Sequence, residues 1–308
     1  IYLFLLYTLI SGYISGGSDV IYYLFLYLHI SIPKIYCAFI FLIVFGTILF
    51  KGVVAVDNAN RIFMSTKLIS YFILIFLLLP HVKMTKFNIN NYYALLPVTM
   101  TAITSFGFGI IIPTMRDYFN SEHKILVKLI ISSGLCALII YILWLIVITG
   151  EGDRIHILQI SHNQHVISAL IDTLSKLSNS DFVIILIHFF ISICVVTAFL
   201  GVSIGLIDFL IDGLKIHKKD KKRILIVFLA LIPPFCLNYF FKTLFLKALN
   251  LAGIACILLQ ITLPALMLII TRYKKLNNIK IIPTTYLLPI ILIICSILLL
   301  GIVYHSSF

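Results

Sequence analysis

The feature that most limits this chain is its division into apolar runs of about 20 residues, each closed by a short polar tract. A run of that length, wound as a helix, matches the hydrocarbon core of a bilayer. Of the 308 residues, 62% are hydrophobic and 11% charged, whereas a soluble domain carries about 25% charged residues. The mean hydropathy is +1.15. One water-soluble core cannot hide so much apolar surface, so the expected solvent is lipid. The net charge of +12 does not point to nucleic acid. Its basic residues sit in short tracts between the runs, and no basic domain stands outside them.

Reading the runs against their polar breaks predicts about nine spans. They cover roughly residues 1–28, 35–55, 62–82, 94–115, 125–149, 182–213, 222–240, 245–271 and 283–304. Pro33 and Pro80 punctuate span ends, and Pro233, Pro234 and Pro264 are expected to kink the seventh and eighth spans. Lys and Arg in alternate loops divide 15 to 7, with Lys67 inside a span. The richer side, dominated by Lys215 to Arg223, is the expected cytoplasmic side. Residue 1 then lies in the cytoplasm and Phe308 outside.

The six cysteines lie inside apolar runs without a CxxC pair, and read as small core hydrophobes. The chain opens on Ile1, its first methionine is Met64, and no basic segment precedes the first run. A signal peptide does not fit, and the expectation is that the true amino terminus is absent. Residues 150–181 form the longest external segment, with an amphipathic spacing that suggests a surface helix. His162 and His165 at its start lack further ligands at useful spacing and read as solvated, so no metal is expected.

Function is sought where the membrane rule is broken, because non-helical backbone survives in hydrocarbon only where it lines a cavity or is buried in protein. The sharpest break is Thr104-Ser105-Phe106-Gly107-Phe108-Gly109, followed by Pro113. Such a discontinuous helix can hold a carboxylate or ammonium through backbone groups and half-helix dipoles. A glycine packing contact between helices is the competing explanation. The first run holds Ser11-Gly12-Tyr13-Ile14-Ser15-Gly16-Gly17-Ser18, which favours close helix packing, with the Tyr13 hydroxyl offered to any adjoining cavity. Ionisable residues inside spans are candidates by default. They are Asp19, Lys67 (expected about one turn inside its span), His188, and the pair Asp208 and Asp212 on one helix face. No Walker loop, nucleophile elbow, HExxH or triad is present, so no catalytic residues are expected.

Taken in order, these residues resemble the bacterial aromatic amino-acid permeases, the tyrosine- and tryptophan-specific proton symporters of the amino acid–polyamine–organocation superfamily. Tyr13-Ile14-Ser15-Gly16 followed by Asp19 looks like the third family helix. Val56-Asp57, Asn60-Arg61 and Ser65-Thr66-Lys67 look like the entry to the fifth, and Leu79-Pro80-His81 like its exit. Thr104 to Phe108 with Ile112-Pro113 resembles the broken sixth. The stretch Thr197 to Ser203, with Gly205-Leu206, Asp208 and Asp212, resembles the eighth. Pro233-Pro234, Ala252 to Ala255 and Leu263-Pro264-Ala265 resemble the ninth and tenth. In one departure, Gly109 stands where relatives tend to carry histidine.

The resemblance implies an all-α integral membrane protein with a LeuT-like inverted-repeat bundle, here lacking the first two helices. Residues 1–82 are then the remainder of the first repeat, 94–271 the second and 283–304 an extra helix. It implies import of tyrosine or tryptophan across the bacterial cytoplasmic membrane by proton symport, with no enzyme activity and no cofactor beyond the proton gradient. The implied substrate site comprises Thr104, Ser105, Phe106, Gly107, Phe108, Gly109, Tyr13, Gly16 and Phe199. Lys67, Asp19 and Asp208 are implied in proton coupling, Lys67 because a lysine on the fifth helix replaces the sodium ion in some proton-coupled superfamily members. Expected partners are the amino acid and the bilayer, not nucleic acid. Two other readings stay open: a truncated remnant that does not transport, and an amino-acid sensor or germinant-receptor-like subunit on the same fold.

Overall fold

The structure, a computed structural model, describes residues 1–82, 102–107, 109, 112, 123–151, 167, 180–215, 222–240, 244–273 and 287–307. Among the described residues all regular structure is helical. The helices are α1 (Tyr2–Tyr27), α2 (Lys34–Lys51), α3 (Val53–Leu78), α4 (His123–Glu151), α5 (Asp181–Gly213), α6 (Lys222–Phe240), α7 (Leu244–Cys256), α8 (Leu263–Tyr273) and α9 (Leu287–Ser307). A 3₁₀ turn, Leu79–His81, closes α3, and a π-helical segment, Ile257–Thr262, joins α7 to α8.

Their outer surface is apolar. Phe76, Val54, Phe240 and Ile62 are each more than 60% exposed, in company with dozens of other large hydrophobic side chains. Water would penalise that surface, whereas lipid tails do not. Among the described residues five stretches are long and apolar enough to cross a bilayer: Lys34–Lys51, Val53–Leu78, Lys124–Thr149, Asp181–Gly213 and Ala248–Thr271. Ile224–Phe240 and Leu287–Gly301 are shorter apolar helices. Helix α1 has 26 residues but is diluted by serine, glycine and tyrosine. Most of its residues from Leu5 to Asp19 are buried, so they face protein rather than lipid. The span expected at 94–115 lies mostly outside the described residues, as does the surface helix expected at 150–181 with His162 and His165.

The joints explain where the helices stop. Helix α1 ends on His29 at φ 58°, with Ile30 N–H donating to the Phe25 carbonyl and His29 N–H to that of Leu26. This is the pattern of a left-handed residue closing a helix. Between α2 and α3 stands the single residue Gly52, whose φ 105° and ψ 179° are open to glycine alone. Because the chain turns there, α3 begins at Val53, nine residues before the expected 62. Asp57 and Arg61, expected in a loop, lie on the first turns of α3 and pair across one turn at 2.8 Å. Three cysteines also depart from expectation: Cys136, Cys236 and Cys295 are exposed on the apolar exterior, where a thiol is as compatible with lipid as with a core.

The helices group into two compact units. One holds Leu6–Asn88 and Ile139–Ala248. Its centre is the α3–α5 contact, where Tyr71, Leu74 and Leu78 meet Val183, Ile187 and Ile191. Trp144 of α4 and Phe190 of α5 stack beside Tyr71, with ring centroids 5.0–6.1 Å apart, and the Tyr71 hydroxyl donates to the Ile140 carbonyl at 2.7 Å. Helix α6 remains helical through Pro233 and Pro234. Pro233 has no N–H for the carbonyl four residues earlier, Leu229. The Tyr7 hydroxyl of α1 donates to that carbonyl at 2.9 Å, repairing the ladder.

The other unit holds Ile1–Leu5, Ile89–Leu138 and Leu249–Phe308. Its core gathers Ile103, Ile254, Leu299 and Leu300 around the buried Ile257.

The small residues of α1 are used for close packing in the first unit. The Phe41 ring of α2 lies directly on Gly17, where a Cβ would collide with it, and packs edge-on against Phe199 of α5 at 5.0 Å. Phe41 is 1% exposed and has no free space to retreat into. Gly17→Ala is therefore expected to destabilise the protein by about 1–3 kcal/mol, read as a lower melting temperature in detergent, and Phe41→Leu added to it should recover part of the loss. Wild-type melting of Gly17→Ala would contradict this packing.

Candidate functional site

Polar groups interrupt the apolar interior of each unit among the described residues. In the second unit, residues 102–105 are helical, Phe106 is a turn and Gly107 carries no regular structure. The last hydrogen bonds are Phe106 N–H to the Ala102 carbonyl at 3.2 Å and Gly107 N–H to that of Thr104 at 3.0 Å, a tightening from α to 3₁₀ spacing. The helix thus breaks where Gly107 was expected to break it. A side chain at Gly107 is not tolerated, because its Cβ would stand 2.8 Å from the Thr104 carbonyl oxygen. The Thr104 hydroxyl reaches the Leu249 carbonyl of α7 at 3.5 Å. Phe108, the remaining aromatic of this motif, is outside the described residues.

A helix end presents carbonyl oxygens and the negative pole of its dipole, which suit an ammonium group. Over this end lies Gln260, on the π-helical segment. A Cβ on Gly107 would approach its Nε2 to 3.3 Å, and one on Gly109 would approach its Cδ to 3.3 Å. Glycine at both positions leaves the amide its room. Sequence reasoning passed over Gln260, although its signal was present as a lone amide between Leu259 and Ile261 in an apolar run.

In the first unit two buried or half-buried charges have described partners, while the Ser15 and Ser203 hydroxyls are buried without one among the described residues. Asp19, fully buried on α1, accepts from the Lys34 ammonium at 2.6 Å. The partner of Asp19 is thus the first residue of α2, brought back by the turn after α1. Lys67 stands not one turn inside its helix but about 21 Å along it, 14 residues beyond Val53 at 1.5 Å each. Its ammonium reaches the Thr197 hydroxyl of α5 at 3.5 Å, and the Cys194 thiol lies in its field. Thr197 itself donates to the carbonyls of Ile193 and Cys194, so its lone pairs are open to Lys67.

Other predicted residues of this unit take varied places. Phe199 is fully buried under Phe41, Gly16 is buried beside Gly17, and Tyr13 is half-buried. Asp208 is half-buried on α5 and Asp212 exposed at its end. His188 stacks on Tyr23 with ring centroids 4.1 Å apart. A cleft of about 620 Å³ between α2 and α6, walled by Phe39, Leu42, Phe50, Phe228 and Phe235, offers an acyl chain or a helix a seat but nothing for the charges of a zwitterion.

A chain whose described regular structure is all helical, with an apolar exterior and several helices long enough to span, is a multi-pass membrane protein. The comparison with known proteins narrows this. The chain belongs to the tryptophan/tyrosine permease family, whose model matches residues 1–303. It is a family of transport proteins rather than enzymes. The chain is similar to a tryptophan-specific transport protein of Shigella flexneri, with 29% identity over 86% of this chain and 65% of that one. It is 31% identical to a low affinity tryptophan permease of Proteus vulgaris over 90% and 68%, and 25% identical to tyrosine-specific transport system 2 of Haemophilus influenzae over 85% and 65%. The chain thus spans about two thirds of the length of these relatives. No solved structure matches it.

The Asp19–Lys34 pair makes a test of its own. Asp19→Asn leaves the Lys34 charge without its counter-ion and is expected to cost about 3–5 kcal/mol, while Lys34→Met in the same protein removes most of that cost. Thermal melting of both variants measures the difference. Equal melting of the single and double variants would show that the pair is not coupled.

Proposed function

We propose that the protein carries an aromatic amino acid, tryptophan or tyrosine, across the bacterial cytoplasmic membrane by proton symport. The observation that carries the reading is the helix break at Phe106–Gly107, in a chain that belongs to this family over nearly its whole length. The three relatives described above are named for tryptophan or tyrosine transport, and this reading brings that substrate class to the chain. The arrangement proposed is the LeuT-like inverted repeat of nine spans, with residue 1 cytoplasmic, alternating access about a site near the midplane, and an orientation resting on the basic tracts. At the break, Thr104 to Gly107 face the ammonium end of the substrate with carbonyl groups, and Phe106 and Phe108 are proposed to pack on its ring.

Lys67 is the proposed coupling group. It sits deep in a helix that spans, and its described hydrogen-bond partner is a neutral hydroxyl. In this reading its ammonium is the group that exchanges the coupled proton. Asp19 is held by Lys34, at the start of α2.

Uptake of labelled tryptophan and tyrosine into cells without their own aromatic importers tests the reading. Expression of the chain should raise uptake of at least one, and an uncoupler should abolish the gain. No uptake of either would overturn the substrate class, and uptake indifferent to the uncoupler would overturn the coupling. Lys67→Met is expected to remain in the membrane at wild-type level yet lose more than ten-fold of the gradient-driven accumulation. Undiminished accumulation would reduce Lys67 to a structural residue.

A further inference from the structure

We infer that Gln260 is a substrate-contacting residue, its side-chain amide donating to the carboxylate of the amino acid held at the Gly107 break. The inference rests on the transport reading above and adds a residue to its site from a helix outside the broken one.

Four observations carry it. First, Gln260 lies in the π-helical segment Ile257–Thr262, which interrupts an otherwise α-helical stretch from Leu244 to Tyr273. A π-turn is rare, costs regular hydrogen bonding and concentrates at functional sites. Pro264 follows at once and removes one N–H from the backbone ladder beside this segment.

Second, the Gln260 Nε2 is buried, and no hydrogen bond satisfies it among the described residues. The polar group beside it is the Cys256 thiol, a weak acceptor one turn earlier. A buried amide donor without a good acceptor is unfavourable and calls for an explanation.

Third, the amide is positioned at the break. Gly107 and Gly109 both face it, and a Cβ at either would press within 3.3 Å of the Gln260 side chain. Any larger residue at 107 or 109 would push the amide aside.

Fourth, the chemistry is complementary. The helix end at Phe106–Gly107 presents acceptors, which satisfy the ammonium of a zwitterion and repel its carboxylate. The carboxylate is acceptor-only and needs N–H donors. Gln260 supplies two on one nitrogen, without a formal charge that would be costly to bury. The site thus gains a donor pole beside its acceptor pole.

The test compares wild type with Gln260→Glu and Gln260→Leu. Glutamate keeps the size of glutamine and replaces the donor by an anion, and leucine removes polarity while filling the space. Competition against labelled tryptophan uptake is measured with three probes: tryptophan, tryptamine (no carboxylate) and indole-3-propionate (no ammonium). In both variants, at unchanged membrane level, the inhibitory potency of tryptophan and indole-3-propionate should fall at least ten-fold, and that of tryptamine less than three-fold. Lowering the external pH towards 5 should restore part of the loss in Gln260→Glu but not in Gln260→Leu, because a protonated glutamic acid regains a donor. Equal loss for all three probes would overturn the inference in favour of a merely structural amide. Unchanged potency of tryptophan would overturn it outright while leaving the transport reading standing. If the wild-type chain takes up neither tryptophan nor tyrosine, the transport reading falls and the inference falls with it.

Discussion

In hydrocarbon a backbone N–H or C=O without a partner costs several kcal/mol, and every notable feature of this molecule answers that constraint. Where proline removes a donor from α6, a tyrosine hydroxyl from α1 takes the vacant carbonyl. Where α2 must turn into α3 without a loop, one glycine at positive φ does it, its N–H donating to the Leu49 carbonyl and its own carbonyl accepting from Val56. Against that background of repair, two departures remain close together. One is the helix that ends at Gly107 and the other the π-turn that places Gln260 over it. Their adjacency is the basis on which the substrate site is proposed here.

The same logic governs charge. An ionised side chain inside a bilayer is tolerated when it is paired or lines an aqueous path. Asp19 is paired with the Lys34 ammonium at 2.6 Å. Lys67 meets the neutral hydroxyl of Thr197 at 3.5 Å. The two were equal candidates by sequence and differ sharply by partner. Packing separates the others as well: Phe199 is sealed beneath Phe41, whereas Ser105 of the broken helix is exposed.

Much of the fold was legible because apolar runs and basic tracts mark helix ends in a membrane protein. The bounds of α4, α5 and α6 fall within about two residues of those expected. Helix α3 was misjudged at its start because Asp57 and Arg61 look like loop residues until their one-turn spacing is seen as a helical ion pair. The break at Gly107 was half legible, since two glycines so close in a span fit a broken helix and a packing contact equally well, and the turn at Phe106 decides between them. Gln260 was not, because its meaning depends on a π-turn that no periodicity predicts. Nor was the partner of Asp19 legible: Lys34 reaches it only because the turn at His29 sends the chain back. The cysteines show the converse limit, since an apolar run does not tell a core-facing thiol from a lipid-facing one.

The central claim is that a zwitterion sits in the gap of an interrupted helix, with its charges divided between backbone carbonyls and the Gln260 amide. The most direct measurement is an experimental structure of the protein with bound tryptophan. The account predicts ligand density against residues 104–109, the ammonium towards the carbonyl end of the helix and the carboxylate within about 3 Å of the Gln260 nitrogen. Ligand density elsewhere, or a continuous α-helix through Gly107 with no ligand beside it, would contradict it.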